Sequence, residues 1–204
     1  MKLYYMPGSC SLAVHIALGE TGSEFALEKV DGKTKRTETG RDFTEVNPNG
    51  YVPALELADG AVLTEAPAVL QYLADAHPEA GIAPANGTFE RARVQEHLNF
   101  VASELHKSFS PFFAAEPPEG AARDAALARL FKRLDHLERL LADGRDYLLG
   151  ADFSVADLYA AVVAGWAAPV GIELDSWPRI AAYVQRVTAR PAAVEAMRRE
   201  GLLG

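Results

Sequence analysis

The chain of 204 residues has a single cysteine, Cys10. One thiol excludes an internal disulfide framework, and the residues that follow it, Ser11-Leu12-Ala13, offer no resolving partner for dithiol redox chemistry. Positive charge is also scarce. Twenty Lys and Arg against 28 Asp and Glu leave a formal charge of -8, which argues against broad nucleic-acid binding. No apolar run approaches the length that spans a bilayer, so no membrane association is expected. Lys2-Leu-Tyr-Tyr reaches the Pro7-Gly8 break too soon for the layout of a secretory leader. The expectation is a reducing compartment, the cytoplasm. No spacing of Cys and His suits a metal, and Gly40, Gly50 and Gly60 stand as separate turn glycines rather than a phosphate loop. What remains is an ordinary globular composition, 49% hydrophobic and 24% charged.

The first part of the chain alternates short strands and helices. Lys2 to Tyr5 reads as an apolar strand, and Ser11 to Glu20 as a helix closed near Gly22. Phe25, Leu27 and Val30 alternate with polar or small neighbours, the period of a second strand. The polar run Asp31 to Arg41 suits a loop or a weak helix. After the turn cluster Asn47-Pro48-Asn49-Gly50, a strand over Val52 to Leu57 is joined through Asp59-Gly60 to Ala61-Val62-Leu63 as a hairpin. Thr64 is placed to cap a helix through Val69, Leu70, Tyr72 and Leu73, with Pro67 in its first turn. From Thr88 onward only helical patterns occur. Val94, Leu98, Val101 and Leu105 share one stripe of a helix reaching Ser110, and Leu127, Leu130, Leu134, Leu137 and Leu141 share another. Further helices are expected over Ser154 to Trp166, Trp177 to Thr188 and Ala192 to Arg199. The division is an α/β domain over 1–77, a Pro-, Gly- and Ala-rich linker over 78–87, and an all-α domain over 88–204.

Chemistry concentrates at junctions. Cys10 lies between the first strand and the first helix, where amide donors and the helix dipole favour a negative sulfur; the alternative is a packed structural cysteine. With no second cysteine, an external small thiol must complete any redox cycle. Val52-Pro53 stands at a strand start, where an exposed backbone edge can pair with an extended ligand. At Thr64-Glu65-Ala66, free amides can hold a carboxylate while Glu65 holds an amine. Together these positions suit a small zwitterionic peptide. His106 beside Lys107, taken alone, reads as a surface or partly buried histidine. Ser154-Val-Ala-Asp157 reads as a capping box, which makes Asp157 a helix-start device rather than a base.

The chain resembles a bacterial beta-class cytosolic glutathione transferase over essentially its full length. The resemblance is carried by Met1-Lys-Leu-Tyr-Tyr-Met-Pro-Gly-Ser-Cys-Ser-Leu-Ala13, Asn47-Pro-Asn-Gly-Tyr-Val-Pro-Ala-Leu55 and Leu63-Thr-Glu-Ala66, with Asn99, Glu104-Leu-His-Lys107 and Phe153-Ser-Val-Ala-Asp157 in support. It implies a thioredoxin-like N-terminal domain, an all-α C-terminal domain, a homodimer and a cis bond at Pro53. It also implies glutathione as co-substrate, with no metal. By similarity Cys10 approaches the glutathione sulfur and forms a mixed disulfide, with helix-start amides near Ser11 contributing to the field. Val52 pairs with the cysteinyl part of the tripeptide. Glu65 and the Ala66 amide hold the γ-glutamyl end, and Lys35 reaches the glycine carboxylate. His106 with Lys107 comes from the helical domain, while Asn99 and Glu104 cross the dimer interface. Two departures stand out. Ala66 replaces the family's usual hydroxyl residue, and Asn49 with Tyr51 weakens the positive field.

The activity implied is conjugation of glutathione thiolate to small hydrophobic electrophiles, with thiol-disulfide transfer or peroxide reduction through Cys10 as a second activity. Rival readings are a glutathione-dependent isomerase or reductive dehalogenase, whose substrate would meet Phe109, Phe112, Phe113 and Trp166, and a non-catalytic binding protein of the same fold. Those aromatics read equally as core.

Overall fold

The computed structural model describes residues 1–203. It opens with strand β1 (Lys2–Tyr5), helix α1 (Ser11–Glu20) and strand β2 (Ala26–Lys29). Strands β3 (Ala54–Glu56) and β4 (Val62–Thr64) and helix α2 (Ala66–Ala76) complete the α/β part. The sheet order is β2-β1-β3-β4, with β1 parallel to β2 and antiparallel to β3, and β3 antiparallel to β4. Strand alternation decides which side chain faces which layer. Leu3, Tyr5 and Leu55 face α1 and α2 in the main core, while Tyr4 and Ala54 pack with Val30, Phe43, Val46 and Val52 on the opposite face. This is a thioredoxin-like mixed sheet.

The Asp31 to Arg41 run forms no helix. It is a loop closed by the isolated bridges Val30–Thr37 and Arg36–Asp42. Asp59-Gly60 closes the β3–β4 hairpin, with Gly60 at φ 85°. The start of α2 differs from expectation. Thr64 stays in β4, and Glu65 takes the N-cap position with φ 69° and no side-chain cap.

The helical part consists of α3 (Phe89–Phe100), α4 (His106–Phe109), α5 (Gly120–Leu140), α6 (Val155–Gly165), α7 (Pro178–Thr188) and α8 (Pro191–Arg199). The single helix expected from Thr88 to Ser110 is interrupted by a π turn over Val101–Leu105. Such a turn adds a residue to the helical repeat and re-aims the side chains after it, of which His106 is the first. Helix α6 is buried from Val155 through Ala164 and forms the centre of the helical layer, as its apolar composition on every face requires. Its start is the expected capping box. Asp157 accepts from the Ser154 N–H at 2.8 Å and the Leu148 N–H at 2.8 Å, and Tyr183 donates to it at 2.9 Å.

One core runs through both parts, because α1 packs against α2, α6 and α8. The α1–α8 contact is close: a Cβ on Gly19 would lie 3.2 Å from the Ala192 Cβ. Arg190 donates twice to Glu20, at 2.7 and 2.9 Å. His15 and Glu200 form a buried pair at 2.8 Å, and the second Glu200 oxygen accepts the Gly8 N–H at 2.9 Å. These contacts lock the loop before Cys10 against the C-terminal helix.

Candidate active site

Between the two layers lies a cavity of about 730 Å³. It collects Cys10, Lys35, Val52, Pro53, Glu65, Ala66, His106 and Lys107, and adds Tyr51, Tyr159 and Trp166. Three other expected residues lie elsewhere. Ser11 is fully buried, its hydroxyl accepting from the Met6 N–H and donating to the Met6 carbonyl, both at 3.2 Å. It braces the loop before α1 rather than lining the cavity. Asn99 is exposed on α3. Glu104 lies in a separate groove, paired with Arg133 at 2.6 Å.

The backbone at the cavity carries two marks of strain. Lys35 (φ 55°) and Glu65 (φ 69°) are the only non-glycine residues with positive φ among the described residues, and both line it. Side chains seldom hold such conformations without surrounding structure to enforce them, and they gather at functional sites. Val52-Pro53 is cis. The Val52 N–H makes no hydrogen bond within the described chain, and the Val52 carbonyl accepts only from the Cys10 Sγ, at 3.4 Å. An extended ligand therefore finds a free donor at this edge.

Cys10 does not carry the negative sulfur that its helix-start position favours. Burial pushes its thiol up to about 12, and the Glu65 charge acts the same way against the weaker opposing pull of the Cys10 and Ser11 amides and Lys107. At 9% exposure, desolvation dominates. Cys10 is thus a neutral S–H donor.

His106 follows the same logic. Burial first, and the neighbouring Lys107 second, bring its imidazole down to about 4, so the ring is neutral near pH 7. It acts as a hydrogen-bonding group and not as a cation. Its Nδ1 lies 2.8 Å from the Tyr159 hydroxyl, and the Trp166 ring meets it edge-on at 4.7 Å. Trp166 is itself held by an N–H bond to the Gly8 carbonyl at 2.8 Å. Of the aromatics weighed as substrate contacts, Phe109 and Phe112 are buried in the core, and Phe113 is half exposed against Trp166. Lys35 donates to the Gly50 carbonyl at 3.0 Å, and its ammonium lies 5.8 Å from the ring of Tyr51, itself 71% exposed.

Sequence reading missed Tyr159, which looks like one more apolar position on α6. The available signal was its spacing: Tyr159 and Trp166 stand seven residues apart, two turns on one helix face. A grouping of three or more metal-ligating side chains does not occur among the described residues. No helix among them is long and apolar enough to cross a membrane.

Family models described as "Glutathione S-transferase, N-terminal domain" and "Glutathione S-transferase, C-terminal domain" match residues 8–76 and 120–186. The chain is 43% identical to the glutathione S-transferase GstA of Escherichia coli O157:H7 over 202 residues, 99% of this chain and 100% of that protein. It superposes on a sphingomonad glutathione S-transferase complexed with glutathione at a TM-score of 0.94, with 47% identity and all of both chains covered. A bacterial beta-class glutathione S-transferase from Sphingomonas chungbukensis gives 0.95 and 46%, again over both whole chains. With the thioredoxin-like layer, the helical layer and the cavity between them, these likenesses show that the chain belongs to the glutathione S-transferase family.

Proposed function

We propose that this protein binds glutathione along the Val52 edge and transfers its thiolate to small hydrophobic electrophiles such as activated aryl halides or epoxides. The observation that carries this reading is the free Val52 N–H beside the Cys10 thiol and the neutral His106 ring, all at one cavity. Free glutathione is mostly protonated near neutral pH. Lowering its thiol by about two pKa units requires about 2.7 kcal/mol of preference for the anion. Hydrogen bonds to a charged group contribute about 1.5–3 kcal/mol each, so one His106 N–H together with the Cys10 S–H, turned from the Val52 carbonyl to the ligand sulfur, suffices. On an activated aryl halide the sulfur adds to the ring carbon, and the halide then leaves with the carbon–halogen electron pair. On an epoxide the carbon–oxygen bond breaks as the carbon–sulfur bond forms, and the resulting alkoxide takes a proton from water.

Cys10 serves better as donor than as nucleophile, since two adjacent thiolates would repel. With a glutathione disulfide as oxidant, Cys10 gives a mixed disulfide and releases one reduced glutathione. Glu65 and the Ala66 amide take the γ-glutamyl end and Lys35 the glycine carboxylate. The Ala66 N–H remains although its side chain offers no hydroxyl, and Lys107 adds positive charge at the mouth. The chain divides at 1–77, 78–87 and 88–204, and works as a homodimer in the cytoplasm, with Asn99 and Glu104 facing the partner. A free cysteine supports that compartment.

Glutathione affinity by calorimetry, turnover of an aryl halide, and adduct mass after mild oxidation test this in wild type and Cys10→Ala. We expect conjugation to persist within about tenfold in the variant, with the adduct lost. Absence of glutathione binding at millimolar concentration overturns the assignment.

A further inference from the structure

The His106 ring has one hydrogen-bonding partner within the described chain, the Tyr159 hydroxyl, 2.8 Å from Nδ1. That hydroxyl has no other partner there either. Which of the two donates decides where the imidazole proton sits. Tyr159 is buried, and its phenol stays protonated because desolvation, with the nearby Cys10 and Glu65 adding to it, opposes ionisation. Suppose Nδ1 carried the proton. It would donate to the phenol oxygen, and the phenol hydrogen would be left without an acceptor, at a cost of about 1–3 kcal/mol. With the phenol donating instead, one bond satisfies the phenol hydrogen and Nδ1, and the imidazole proton resides on Nε2. That nitrogen is not among the buried unpartnered atoms of the described residues and belongs to a cavity-lining ring.

We infer that Tyr159 is a positioning residue, whose hydroxyl donates to His106 Nδ1, fixes the ring as the Nε2–H tautomer and leaves that N–H as the donor facing the cavity. The role rests on the glutathione-binding reading above, in which the group to be met is a thiolate sulfur. Only a protonated ring nitrogen stabilises a developing anion; the opposite tautomer would present a lone pair and repel it. A neutral histidine thus becomes useful through its orientation, without carrying charge. The rest of the surroundings supports the same geometry. The π turn before His106 sets where the side chain leaves the helix, and the edge-on Trp166 ring limits its rotation. Trp166, the C-cap of α6, is anchored to the Gly8 carbonyl in the loop that precedes Cys10, so one side chain meets both that loop and the His106 ring.

The test reads the tautomer directly. In uniformly ¹⁵N-labelled protein without glutathione, histidine side-chain NMR assigned by comparison with His106→Gln should show His106 with bare Nδ1 and protonated Nε2. In Tyr159→Phe the His106 signals should shift to a mixture of tautomers. The same variant should lower kcat about tenfold and raise the thiol pKa of bound glutathione by about one unit, with KM for glutathione within about twofold. A wild-type His106 protonated at Nδ1 overturns the inference, and does so whether or not Tyr159→Phe folds. A Tyr159→Phe protein with tautomer and kcat both unchanged overturns it equally. Because the tautomer is read without ligand, a protein that has the Nε2–H form but binds no glutathione upholds the tautomer assignment and refutes the proposed function instead.

Discussion

Alkylation of Cys10 by iodoacetamide separates a neutral donor thiol from a helix-activated thiolate, and with one cysteine in the chain a single adduct reports a single site. Burial moves the thiol from an ordinary 9.0 to about 12. At pH 7.5 that reduces the thiolate fraction from roughly 3% to about 3 in 100,000, a thousandfold loss. Part is returned by chemistry. A thousandfold gain in basicity raises the anion's reactivity roughly 15–30-fold at a Brønsted coefficient of about 0.4–0.5. The net expectation is modification about 30–60 times slower than the same cysteine in urea-unfolded protein, before any steric slowing from its 9% exposure. Intact-mass time courses at several pH values measure both the ratio and its slope. The logarithm of the rate should climb steadily from pH 7 to 10. A plateau by pH 8, or folded protein reacting as fast as unfolded, would refute the donor role of Cys10.

Three further outcomes are expected. Replacing His106 by Ala should lower kcat for aryl halide conjugation about 10–100-fold while KM for glutathione changes less than about threefold; an equal loss in binding alone would contradict its role at the sulfur. Asp157→Ala removes the cap of α6 and strands the buried donors of Leu148, Ser154 and Tyr183, which should cost about 3–5 kcal/mol in urea unfolding; a change under about 1 kcal/mol would contradict that network. Burial holds His97, His106 and His136 below their ordinary 6.5, so the unfolded chain takes up protons first on acidification. Their contribution to stability is therefore full above about pH 6.5 and lost as the pH falls toward 4, where His106 itself titrates. Urea midpoints from pH 7.5 to 5 should fall less steeply in His106→Gln than in wild type, and identical slopes would exclude His106 from this linkage.

Local features were readable from residues because neighbours in the chain cause them. Pro7-Gly8 ends β1, Asp59-Gly60 turns the hairpin, and Ser154 with Asp157 starts α6 without help from distant segments. The π turn at Val101–Leu105 escaped a periodicity argument, since the stripe Val94, Leu98, Val101, Leu105 suits an uninterrupted helix equally well. The positive φ values at Lys35 and Glu65 are equally invisible, because neither residue type announces them. At Cys10 the local signal pointed the wrong way. A helix start favours an anion by only about 0.3–1 kcal/mol, and the desolvation imposed by the packed cavity outweighs it.

The sequence by itself determined the order of strands and helices, the division into an α/β and an all-α layer, and the residue types available for chemistry. These follow from periodicity, turn chemistry and composition, all short-range properties of a chain in water. Tertiary structure alone decided the charge state of those residues and their partners. Tyr159 meets His106 from 53 positions away in the chain, and Val52 meets Cys10 from 42 positions away. Protonation depends on how much water each group loses and what replaces it, and that is known only when segments distant in the chain have closed around the same cavity.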